Sequence, residues 1–108
     1  FGTYADLYLD EANDRILALD QMNGALVEID TATGERSLVS SATERGSGFP
    51  FVLPTSVTLD TTRNRPVVAD FDWKAVFAVD PATGDRTVLY RAEDSETLKT
   101  FAAHAARE

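Results

Sequence analysis

Residues 29 to 39 read IDTATGERSLV and residues 79 to 89 read VDPATGDRTVL, a near-duplication at an interval of fifty that constrains the fold more than any other feature. Sliding the sequence against itself by fifty superposes Leu9-Asp10 on Leu59-Asp60, Arg15 on Arg65, Asp20 on Asp70, Ala25 on Ala75 and Asp30 on Asp80. The same shift carries Ala32-Thr33-Gly34 onto Ala82-Thr83-Gly84 and Arg36 onto Arg86, and no gap is needed. A repeat of this length marks an array of one supersecondary unit.

Within each copy, short β-prone runs alternate with turn residues, as in an antiparallel meander. The first copy carries DLYL (6–9), RILAL (15–19), ALVEI (25–29) and RSLVS (36–40). The second carries SVTL (56–59), PVVA (66–69), AVFAV (75–79) and RTVLY (86–90). Four strands per repeat is the content of one propeller blade. In DTATG and DPATG the Asp accepts a hydrogen bond from the backbone ahead of it, and Gly34 or Gly84 supplies the left-handed residue that closes the hairpin. Asp14 and Asn64 fall at equivalent places in the first turn, where a residue tolerant of the left-handed region is also required. Because these positions recur, they read as turn chemistry; a functional centre is normally unique.

The run of Pro54, Val57-Thr58-Leu59-Asp60, Asn64-Arg65, Val68-Ala69-Asp70 and Val79-Asp80-Pro81-Ala82-Thr83-Gly84-Asp85-Arg86 resembles the blades of six- to eight-bladed β-propellers of the NHL, YVTN and gluconolactonase (regucalcin)-like kind. The first copy departs slightly, with Asp14-Arg15 in place of the Asn-Arg pair. The resemblance covers residues 1 to about 90 and implies an all-β fold of two four-stranded antiparallel blades. On this reading residues 1–50 form the first blade with its outgoing loop, and residues 51–92 the second. Residues 93–108 lie beyond the repeat and place Leu98, Phe101, Ala102 and Ala105 at helical spacing, which predicts a short amphipathic C-terminal helix. Blades of this kind serve lactonases, lyases, sensors and binding scaffolds alike, so the resemblance is specific for fold rather than activity.

Val67-Val68-Ala69 and Ala75 to Val79 are apolar on both sides of their strands, whereas a sheet with one wet face alternates. Two stacked sheets leave two such faces bare, which a soluble monomer does not normally tolerate. Three arrangements would cover them: a longer propeller of which this is a piece, three copies assembled into a ring, or extra elements capping a pair. The expected partners are therefore further blades or further copies of the chain.

A net charge of -8 with ten scattered basic residues argues against a nucleic-acid or anionic-membrane surface. The lack of cysteine excludes disulfides, thiolate metal sites and a cysteine nucleophile, and fits the cytosol and the periplasm equally. No apolar run is long enough for a membrane span, and a chain that begins at Phe1 reads as a processed product or a piece.

Binding residues of such a fold belong on the loops at one end of the sheets, here residues 20–25, 41–55 and 70–75. These are also where the two copies differ, DQMNG facing DFDWK. Asp70 and Asp72 would offer two carboxylates to a Ca²⁺ ion, and Trp73 would stack on a sugar or another small ligand. Asn23 and Arg45 are the other loop candidates. The competing expectation is structural: Asp70 caps its turn as Asp20 does, Asp72 is solvated and Trp73 packs between repeats. Gly46 and Gly48 allow tight turns in the connecting loop, while Phe49 and Phe51 read as anchors. Arg36 and Arg86 recur with the turns and predict edge salt bridges with Glu35, Asp85 or neighbouring blades rather than anion capture. His104, the single histidine, lies on the expected helix. The resemblance implies, in its gluconolactonase-like members, a divalent metal held by Glu, Asn and Asp gathered from several blades, to which this chain would contribute at most Asp70 or Asn23. The sequence thus predicts a binding or assembly module, with a piece of a metal-dependent hydrolase as the second expectation.

Overall fold

A computed structural model describes residues 4–92. The expected C-terminal helix and His104 lie outside the described residues. The first repeat forms strands β1 (Tyr4–Asp10), β2 (Arg15–Asp20), β3 (Ala25–Asp30) and β4 (Arg36–Ser41), and the second forms β5 (Pro54–Asp60), β6 (Arg65–Asp70), β7 (Ala75–Val79) and β8 (Arg86–Arg91). Each set makes one antiparallel sheet in sequence order, β1-β2-β3-β4 and β5-β6-β7-β8. The two sheets are compatible with a pair of adjacent propeller blades, in a stack that is not closed into a ring.

The repeat extends to irregularities that no composition argument would reach. The first pairing slips between Tyr4 and Asp6 and again between Pro54 and Ser56. The third slips between Leu26 and Val27 and again between Val76 and Phe77. A bulge adds one residue and increases local twist, so matching bulges give both sheets the same curvature. Asp14 and Asn64 adopt left-handed φ values of 51° and 49°, as their place in the first turn requires, and Gly34 and Gly84 do so at 78° and 83°. In the latter turns Asp30 and Asp80 accept hydrogen bonds from the Ala32 and Ala82 N–H groups at 2.8 and 2.9 Å.

The first hairpin of each sheet is tied by an ion pair. Arg15 donates to Asp10 at 2.8 Å and to Glu28 at 3.2 Å, and Arg65 donates to Asp60 at 3.3 Å.

The two sheets pack face to face in the same sense, with β1 and β2 lying against β5. Leu17, Leu19, Leu26 and Val39 of the first sheet meet Val57, Leu59, Val68, Phe77 and Val79 of the second in one core. Each side uses alternate residues of its strands, as the period of two demands. All five residues of β7 are buried. By contrast Leu7 and Leu9, on the face of β1 turned away from this core, are 56% and 57% exposed.

Candidate functional site

The loops expected to gather ligand residues do converge, and what they converge on is the segment joining the sheets, residues 42–53. This segment leaves β4, crosses to the second sheet and enters β5. Two buried ionic side chains of the second repeat hold it.

Arg86 opens β8 and is 6% exposed. Its Nε donates to the Phe49 carbonyl at 2.7 Å, and Nη1 donates to the Ser40 hydroxyl at 2.8 Å and the Ser41 carbonyl at 2.7 Å. Nη1 also reaches the Arg45 carbonyl at 3.4 Å, while Nη2 donates to Gly48 at 3.2 Å. The guanidinium lies 5.6 Å from the centre of the Phe51 ring. Burial lowers the basicity of this group, partly offset by the charge of neighbouring Asp85, but far from enough to deprotonate it. The expected edge salt bridge is therefore corrected for Arg86. Its partners are carbonyl and hydroxyl oxygens, because the chain places the connecting loop, rather than a carboxylate, over the planar fork.

Asp70 ends β6 with its side chain fully buried. Its carboxylate accepts from the Val52 N–H at 2.7 Å and the Leu53 N–H at 3.1 Å on the incoming segment. It also accepts from the Asp72 and Trp73 N–H groups of its own turn at 3.0 and 3.3 Å. Trp73 donates from Nε1 to the Pro50 carbonyl at 2.7 Å and packs its ring 4.8 Å from that of Phe49. The Arg91 guanidinium lies over the indole, 5.5 Å from the ring centre.

Arg45 completes the attachment from the loop side. Its Nε donates to the Val39 carbonyl at 3.1 Å, and Nη2 reaches across to the Ala82 carbonyl at 2.7 Å. Asp85 accepts from both the Ser47 N–H and the Ser47 hydroxyl, at 2.9 and 3.0 Å. Those bonds, with one from Thr83, hold its carboxyl below the usual carboxylate range. Gly46 is needed here for close approach, since a Cβ at that position would run into the Gly84 carbonyl.

Of the candidates, then, Asp70, Trp73 and Arg45 are brought to one place, around the connecting segment. Asp72 is exposed beside them. Asn23 lies in the β2–β3 turn, where its side-chain amide donates to Asp20 at 2.7 Å and it borders a groove with Thr43 and Glu44. Phe51 is a buried anchor, whereas Phe49 is 46% exposed. Asp70 and Asp72 do not fit a Ca²⁺ ion, which takes six or more oxygens. Both Asp70 oxygens are aimed at backbone N–H groups. Among the described residues no group of three or more acidic, histidine or cysteine side chains is placed to hold a metal.

Arg86, Ser40 and Asp85 were not singled out as a site by the sequence. The signal was present in Arg86 recurring fifty residues after Arg36, but its partners are backbone carbonyls, which a sequence does not distinguish. No known family model and no curated protein matches the chain.

Proposed function

We propose that the chain is an assembly module: two consecutive blades of a six- to eight-bladed propeller, serving as a binding or structural scaffold once further blades are docked. The observation that carries this reading is a difference between equivalent residues. Val57 and Leu59 on β5 are 5% and 7% exposed beneath the first sheet, whereas their counterparts Leu7 and Leu9 on β1 are 56% and 57% exposed. A face with the composition of a joint and without its cover is what an internal blade presents when its neighbour is absent. The same-sense stacking of the sheets supports the reading further, since head-to-tail contacts generate rings where the rotation between units closes.

The test compares denatured and native mass in material from the natural source. A native mass equal to six to eight repeats is expected, on one polypeptide or several. A stable, monodisperse native species of 11.8 kDa, the mass of the chain alone, would remove the reading.

A further inference from the structure

We infer that the two open faces of the stack differ in kind: the β1 face of the first sheet receives one further sheet of the first-repeat type, while the outer face of the second sheet does not repeat the internal joint. The inference rests on the assembly reading above and adds to it the identity of the partner.

The internal joint has a presenting side and a receiving side. On the presenting side, Asp6 accepts from the Val57 N–H at 2.9 Å, and the Gln21 amide donates to the Pro54 carbonyl at 3.1 Å. The Ser40 hydroxyl donates to the Gly84 carbonyl at 2.6 Å. Gly24 lies against the Phe51 backbone, where an added Cβ would stand 2.5 Å from the carbonyl oxygen. Fifty residues on, these four positions are Ser56, Phe71, Tyr90 and Lys74. The carboxylate and the amide are gone. A phenol stands where the incoming glycine turn would need a serine, and a lysine Cβ stands where the backbone would approach. Phe71 and Tyr90 instead pack onto Ala69, Val76 and Ala92 of the outer face, beside a groove bordered by Val67, Val76 and Leu89.

The receiving side is retained. Val57 and Leu59 correspond to Leu7 and Leu9, and Asp85 and Arg86 correspond to Glu35 and Arg36. A Cβ at Gly84 would stand 2.6 Å from the Val39 carbonyl, whereas one at Gly34 would meet nothing within 4 Å, so the same turn is covered in one repeat and open in the other. A groove of about 440 Å³ bordered by Ala25, Val27, Leu38 and Arg36 runs along this open face.

The occupant is therefore a four-stranded blade with a carboxylate, an amide, a glycine and a hydroxyl at the places of Asp6, Gln21, Gly24 and Ser40. A second copy of this chain offering its second sheet does not qualify, so three copies do not close a ring by repeating the internal joint.

The test extends the intact chain. A copy of residues 1–50 is joined ahead of Phe1, and hydrogen exchange of the Leu7 amide in the original repeat, counterpart of the Val57 amide that Asp6 caps, is followed by NMR. Exchange slower by roughly tenfold or more is expected. The gain should vanish when the added copy carries Gln21→Phe, Gly24→Lys and Ser40→Tyr, the residues of the second repeat. If neither extension slows exchange, the β1 face is not a docking face, and the assembly reading falls with the inference. If both slow it equally, the face docks without selecting this chemistry, and the inference alone falls. A second measurement covers misfolding of the triple variant: in the unextended chain, exchange at Leu7 should not depend on protein concentration. Protection that grows with concentration and is lost on Tyr90→Glu would mean that copies do stack through the second sheet, overturning the inference.

Discussion

Arg86 donates to five oxygen atoms of uncharged groups, and all but one belong to the backbone or side chains of residues 40–48. Such a fork cannot be replaced by a point charge. Arg86→Lys leaves most of these acceptors without a donor, and Arg86→Met leaves all of them so; each should cost about 3 kcal/mol in urea denaturation. Asp70→Asn keeps the shape but replaces one acceptor oxygen with a donor facing N–H groups, at about 2 kcal/mol by the same assay. Trp73→Phe removes the bond to the Pro50 carbonyl and trims the ring contacts with Phe49 and Arg91, and should cost about 1 to 2 kcal/mol. Trp73 was visible in the sequence as an unusual residue on a variable loop, and Asp70 and Arg86 as residues that recur with Asp20 and Arg36. Their task was not, because Phe49, Gly48, Val52 and Leu53 enter the site through main-chain groups that every residue possesses.

At the level of the hairpin, the strands and the left-handed turn residues Asp14, Asn64, Gly34 and Gly84 were legible, since periodicity and turn chemistry are local properties. Lys74, with φ of 53°, was not, because lysine carries no preference for that region and its counterpart Gly24 disguises the shared geometry. The Asp10–Arg15 and Asp60–Arg65 pairs, aligned by the repeat, give the first hairpins a pH dependence. Burial disfavours the ionised form of Asp10, but hydrogen bonds from Asn13 and Arg15 and the charge of Arg15 outweigh it and hold the carboxyl below its usual range. Asp60 is lowered too, burial being outweighed by bonds from Arg63 and Arg65. With a folded value below the unfolded one, the unfolded chain binds protons first as pH falls. The stabilisation is thus complete above about pH 5 and lost as pH drops through the folded values. Thermal midpoints should decline on acidification, and the difference between wild type and Asp10→Asn should be largest near neutrality and shrink below about pH 3.

For the molecule as a whole, stability in a repeat array is the sum of each unit's own stability and the interface between units. Here the interface includes the main core, with Leu17, Leu19 and Leu26 facing Val68 and Phe77. The clamp on the connecting segment belongs to it as well, because Arg86 and Asp70 lie in the second sheet and hold the chain that leaves the first. A four-stranded sheet with one face bared has little to keep it folded alone, so the two repeats should unfold as one unit in urea. Trp73, the single tryptophan, reports on the second sheet by fluorescence, while far-ultraviolet circular dichroism reports on both. The two curves should coincide in the wild type. Arg86→Met detaches the segment without changing the apolar core of either sheet. It should move both midpoints to lower urea together if the core alone couples the sheets. If the clamp supplies the coupling, the variant should separate the fluorescence curve from the dichroism curve. A coincident shift is the expected result, because the apolar core joining the sheets is unchanged and neither sheet, with one face bared, holds its fold alone.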